Sequence, residues 1–384
     1  MVWWMAIGSG VCPALGQIPP ALLDAQKYLQ EDVYDLVPAR RAEWERERYA
    51  LNEIWIGLGS YNQNEFNAVE RGTVNLPLTS WLLLHGDGRN DRDRDATVRR
   101  VVFDALFRVR PWLWMGPSGA VPIPASQKDT FAIGASVLIA DSERRRYLMV
   151  RLILDSFFFN RINLDNAVRA STVYHPEVEA RWSSGAWSLY GLLDLTSPSE
   201  IRTPTSEGTR LRASSRLELQ AHARYQREKW EADARFDLLS SNQEESTDAA
   251  RSGIKRVVTT TRLDVLWAAP SFPSGLRLRG GTRFLTESSR GQGDDRYRLS
   301  RIEGAVRVAG VWQRGSNAAE IGYEATVAHF SFARYAIFDT PYEDRFYGYW
   351  EYSFNPRFHL RAMLTWDLSH GHFGGGNGVF LAQF

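Results

Sequence analysis

A chain of 384 residues with 46 Lys and Arg against 45 Asp and Glu has a formal charge of +1, so it lacks the basic surplus that draws a protein to nucleic acid. Mean hydropathy is -0.35, and no apolar run reaches the roughly eighteen residues of a membrane helix. Membrane-crossing strands are not excluded by that test, because only alternate residues of such a strand face lipid.

The first residues, MVWWMAIGSGVCPALGQ, form a short apolar stretch ending in the small-x-small pattern Ala14-Leu15-Gly16. This predicts a secretory signal over residues 1–16, cleaved before Gln17. The single cysteine, Cys12, lies inside it, so the mature chain is expected to hold no thiol and no disulfide. Residues 17–52 read as helical: PPALLDAQKYLQEDVYDL opens with prolines suited to a first turn, and PARRAEWERERYALNE is charged almost all round. Such a segment is either a periplasmic tail or docking helix, or a plug entering a pore.

From residue 53 to 384 the period is two. In WEADARFDLL, Trp230, Ala232, Ala234, Phe236 and Leu238 oppose Glu231, Asp233, Arg235 and Asp237. The alternation holds for about sixteen residues in RLRASSRLELQAHARY, beyond the roughly five or six of a common strand, and returns in RVVTTTRLDVLW and GLRLRGGTRF. About sixteen strands are expected, two of them read as the unbroken runs VNLPLTSWLLL and VRRVVFDALFRVRPWLW, with no helical crossover between any of them. Short connections (DSER, SSG, QREK, PSFPS, RGSN, NP) alternate with long polar ones such as SPSEIRTPTSEG and TESSRGQGDDRY. HGDGRNDRDRDA breaks this rhythm, standing where a short turn is due.

The charged face carries both signs in mid-strand. It holds Arg216, Glu218, Glu231, Asp233, Arg235, Arg262, Arg277, Arg279, Arg283, Arg301, Glu303, Arg307, Arg361 and Asp367, the candidate pore-lining residues. The other face is apolar, with Trp182, Trp187, Trp230, Trp267, Trp312, Phe346 and Trp366 near strand ends, where interfacial girdles would put them. A bilayer admits no open sheet edge, so these strands would close into an all-β transmembrane antiparallel barrel. Sandwich, solenoid and propeller folds are the soluble alternatives, but they use shorter strands.

Alternating strands, short and long rims and the final GVFLAQF, with Phe380, Ala382 and Phe384 on one face, resemble the bacterial outer-membrane β-barrels, and porin-like channels among them. The resemblance implies location in the outer membrane with both termini periplasmic, contact with outer-membrane lipid and lipopolysaccharide, and passage of a hydrophilic solute or polysaccharide. Assembly as a homotrimer or with a periplasmic partner would fit it, without nucleic acid, cofactor or metal. A lumen lined by both charge signs suits a solute channel. The arginines at 277, 279, 283, 301 and 307 suit anions equally, so export of an acidic exopolysaccharide stays open. A third reading comes from His329 and Ser331, two apart on one face, with Glu343 beyond. They resemble the His-x-Ser pair and acidic partner of the outer-membrane acyl hydrolases acting on lipid A or phospholipid, which implies a triad of His329, Ser331 and Glu343.

Overall fold

Strand pairing closes the chain into a ring. The computed structural model describes residues 46–61, 65–92, 97–122, 132–155, 168–169, 172–205, 208–247, 251–268, 272–293, 298–332, 337–339, 342–369 and 371–384. Both the expected signal and residues 17–45 of the expected helical segment therefore lie outside the described residues.

One antiparallel sheet holds twenty strands in chain order: β1 Glu53–Tyr61, β2 Glu65–Thr79, β3 Leu82–Arg92, β4 Thr97–Arg110, β5 Leu113–Pro122, β6 Ala132–Ala140, β7 Tyr147–Asp155, β8 Val168–Arg169, β9 Val173–Ser184, β10 Trp187–Thr205, β11 Gly208–Arg227, β12 Trp230–Ser246, β13 Arg251–Trp267, β14 Leu276–Gly293, β15 Arg298–Arg314, β16 Asn317–Phe332, β17 Ile337–Asp339, β18 Tyr342–Asn355, β19 Phe358–Asp367 and β20 His372–Gln383. β8 and β17 are short pieces at one rim. Since β7 pairs directly with β9, and β16 with β18, eighteen strands make the wall. β1 pairs with both β2 and β20, which closes the sheet.

The wall thus has eighteen strands where the pattern suggested about sixteen, and the difference lies in two places. VNLPLTSWLLL is broken by the turn Ser80–Trp81, and VRRVVFDALFRVRPWLW by Pro111–Trp112. Ser80–Trp81 lies between Leu78 and Leu82, and Pro111–Trp112 between Val109 and Leu113, so the period-two apolar pattern reads across each turn as one run. With the first break placed, His85–Arg92 of HGDGRNDRDRDA continue β3 away from the short-turn rim, so β3 ends at the opposite rim and the rhythm is regular. The polar connections on that rim are shorter than expected, because β10 to β16 run on as ladders of 16 to 20 residues; SPSEIRTPTSEG is mostly strand, with β10 ending at Thr205 and β11 starting at Gly208.

Alternation along β15 sorts its side chains cleanly: Arg301, Glu303, Ala305, Arg307 and Ala309 are buried on the interior face, while Ile302, Val306 and Val308 are exposed outside. Trp81, Trp112, Trp182, Trp187, Trp230 and Trp312 stand outward by the short-turn rim, several paired with neighbours, as in the Trp230–Trp267 stack at 5.7 Å. Phe346, Trp366 and Phe373 stand outward towards the other rim. Residues 46–52 are not helical beyond one turn, in which the Glu47 carbonyl accepts from the amides of Ala50 and Leu51 at 2.9 Å each. That turn lies inside the barrel.

Candidate functional site: the barrel interior

Register carries one face of the sheet round the wall. Arg224 pairs with Asp233, Asp233 with Asp264, Asp264 with Gly281, Gly281 with Arg307, Arg307 with Glu324, Glu324 with Arg345 and Arg345 with Asp367. The next row inward along β11 to β14 is His222, Arg235, Arg262 and Arg283. Arg216, Glu218, Glu231, Arg277, Arg279, Arg301, Glu303 and Arg361 share this face by the period of two, so every one of the fourteen candidate residues falls on the interior side.

Once there, the charges pair with each other. Arg216 binds Glu218 at 2.7 Å, Arg224 binds Asp233 at 2.9 Å, Arg235 binds Asp237 at 2.6 Å, Arg256 binds Glu287 at 2.7 Å and Arg361 binds Glu351 at 3.1 Å. Arg283 and Arg301 both donate to Glu303, and Arg279 lies 3.2 Å from Glu320. Two glycines make room for this layer. The Arg307–Asp264 pair, 2.6 Å apart, crosses Gly281, where an added Cβ would come 1.9 Å from the Asp264 carboxylate. The Tyr347 ring lies over Gly322 and its hydroxyl donates to Glu320 at 2.9 Å.

The other half of the interior, which charge patterning did not reveal, is filled differently. Leu83, Leu106, Trp114, Leu138, Ala140, Tyr147 and Met149 point inward from β3 to β7 and form an apolar cluster with Tyr49 of the N-terminal turn. The Tyr49 ring stands 4.4 Å from His85 and 5.0 Å from Tyr147. On either side of it, arginines fasten the turn to the wall. Arg46 donates to Thr73 at 2.6 Å and to Asp87 at 3.1 Å, and Arg48 lies 3.3 Å from Asp87, 3.4 Å from Glu177 and 3.2 Å from Glu179. Return bonds come from the wall: Asn75 Nδ2 donates to the carbonyls of Arg48 and Leu51, Arg144 to that of Tyr49 and Arg181 to that of Arg46.

The turn therefore straps β1–β3 to β7 and β9. Burial opposes the Arg48 charge, but the Glu179 and Asp87 carboxylates outweigh it and raise the pKa well above the ordinary guanidinium value. Burial likewise pushes the Tyr49 hydroxyl well up, against the opposing effect of Arg151, and Arg151 donates to that hydroxyl at 3.2 Å. Buried ion pairs add little net stability over apolar substitutes, yet losing one partner costs about 3–5 kcal/mol. They fix where the strap docks, and the apolar cluster around Tyr49 supplies the burial. A cue was present in ERERY, where the alternate arginines Arg46 and Arg48 lead into Tyr49, but the acidic partners of Arg48 on β9 lie far along the chain.

Strand register places the three hydrolase candidates along β16 and β18. His329 and Ser331 lie on the outward face of β16, with His329 pairing with Ile302. The backbone of Glu343 in β18 pairs with that of Thr326. Thr326 is five residues from Ser331 along β16, about 17 Å at strand rise. Two-residue spacing put the first pair together; the register of the following strand sets the backbone of the third member opposite Thr326.

No family model and no curated protein matches the sequence. Solved structures similar in shape include a loop L8 deletion mutant of OmpT, an outer membrane protein of Vibrio cholerae, at 10% identity and TM-score 0.43, covering 87% of this chain and 97% of that one. A bacterial polysaccharide outer membrane secretin aligns at 13% identity and TM-score 0.40, over 88% and 99% of the two chains. A porin aligns at 9% identity and TM-score 0.34, over 87% and 99%. The closed sheet stands on its own strand pairing, without appeal to these likenesses.

Proposed function

We propose that the chain is an outer-membrane channel that passes hydrophilic or charged solutes through its interior. One observation carries the reading: a closed wall of eighteen strands is apolar outside and ionic within. An apolar outside with aromatic rims suits a bilayer, and a wall of this size has room for water where an eight-stranded barrel has none. The height agrees. Phe346 and Phe354 on β18, like Phe358 and Trp366 on β19, stand outward and bracket a belt eight residues long, about 27 Å along the strand before tilt.

The rim with short turns also bears the start of β1 and the end of β20, joined by Asn52 and Phe384 through reciprocal backbone bonds of 3.2 and 3.0 Å. In this reading it faces the periplasm. The test is conductance of the purified full chain in a planar bilayer. Stable, discrete current steps are expected; a silent bilayer containing folded protein would exclude a channel.

A further inference from the structure

We infer that Lys255, Arg290 and Arg298 form an outward-facing site for the phosphate groups of a lipid headgroup in the outer leaflet. The inference rests on the orientation given above, with the short-turn rim towards the periplasm, and not on conduction. Register sets the three cations in one row across neighbouring strands: Lys255 of β13 pairs with Arg290 of β14, and Arg290 with Arg298 of β15. Alternation turns all three away from the interior. Ser289, Leu299 and Glu287, the partner of Arg256, are buried on the inner face, whereas Lys255, Arg290 and Arg298 are exposed on the same side as Leu263, Phe284 and Ile302.

Height along the wall puts the row above the apolar belt. Phe284 stands outward eight residues from the short-turn end of β14 at Leu276, the same span that separates Phe354 from Phe346 on β18. Arg290 lies six residues further, about 20 Å along the strand and about 15 Å in height at the tilt of such barrels. Long cationic side chains at that level reach back to headgroups. Like charges directly opposite on neighbouring strands destabilise a sheet, so the row asks for an anion. Elsewhere the protein supplies one: Arg202 of β10 has Glu200 at 3.9 Å. Among the described residues, none of the three side chains makes an ion pair or a hydrogen bond. Glu244, on the outer face of β12, pairs with Gly253 and so stands one strand aside and two residues beyond Lys255, one acid beside three cations. Two guanidinium forks and an ammonium, on strands about 4.8 Å apart, suit phosphates that bridge neighbouring members of the row.

The experiment is binding of fluorescent diphosphoryl lipid A to the folded full chain in detergent. Saturable binding is expected, with affinity falling about tenfold or more for lipid A stripped of both phosphates and, with the intact lipid, in Lys255→Gln/Arg290→Gln/Arg298→Gln. Arg202→Gln, an exposed cation with its own carboxylate, should bind as the parent does. Inorganic phosphate in molar excess should not displace the lipid. Should the triple variant fail to fold, the parent's discrimination between the two lipids decides. Equal affinity for both lipids, unchanged affinity in the folded triple variant, an equal loss in Arg202→Gln, or displacement by inorganic phosphate overturns the inference. Phosphate-dependent binding by a chain that stays silent in a planar bilayer would remove the channel and keep this site.

Discussion

Asn75 shows how much can rest on one side chain. Its Nδ2 donates to two strap carbonyls at 2.9 Å each, while its Oδ1 lies 2.9 Å from His85 Nδ1. Asn75→Ala leaves those carbonyls unsatisfied in a buried setting, and the expected loss is about 2 kcal/mol. Urea midpoints of tryptophan emission after refolding into lipid vesicles would register it; a midpoint equal to the parent's would mean that the strap does not depend on this residue. The asparagine itself carried no cue, because its inward position is evident only when β2 is in register with β1 and β3.

At the scale of elements, the two hidden turns decide the strand count. Pro111 is a recognisable turn residue, but Ser80–Trp81 has leucines close on both sides, and tryptophan at a strand end is as much a girdle residue as a strand former. Sixteen strands would bury position 80 in mid-membrane, whereas eighteen put it in a turn beside those at Gly185 and Glu228. A Ser80→Cys probe in a Cys12→Ser background should react with a membrane-impermeant maleimide in proteoliposomes from the same side as Glu228→Cys. Protection of Ser80→Cys, or labelling from the opposite side, would return the count to sixteen.

For the whole molecule, closure is the property with a direct physical signature. A ring in which every wall strand has two partners has no frayed edge from which to unzip. The protein folded in detergent should therefore migrate faster on a denaturing gel unheated than boiled. Equal mobility in both lanes would be incompatible with a closed barrel. Interior charges add to this rigidity where they are sunk deep: Arg283, Arg301 and Glu303 are each about 1% exposed in their ion pairs.

The sequence by itself determined the two faces, since the side to which a strand residue points depends only on its place in a period of two. Each of the fourteen charged candidates was legible that way, as were the outward tryptophans and most of the short turns. Partners are another matter. Arg48 meets Glu177 across 129 residues and Glu179 across 131, and nothing local in ERERY or HPEVEAR specifies that meeting. The same holds for Glu343, whose pairing with Thr326, five residues short of Ser331, only the β16–β18 register assigns. Tertiary structure decided the strap, the register that sets Glu343 opposite Thr326 and which charges pair, because each depends on which strands come to lie side by side or across a closed wall.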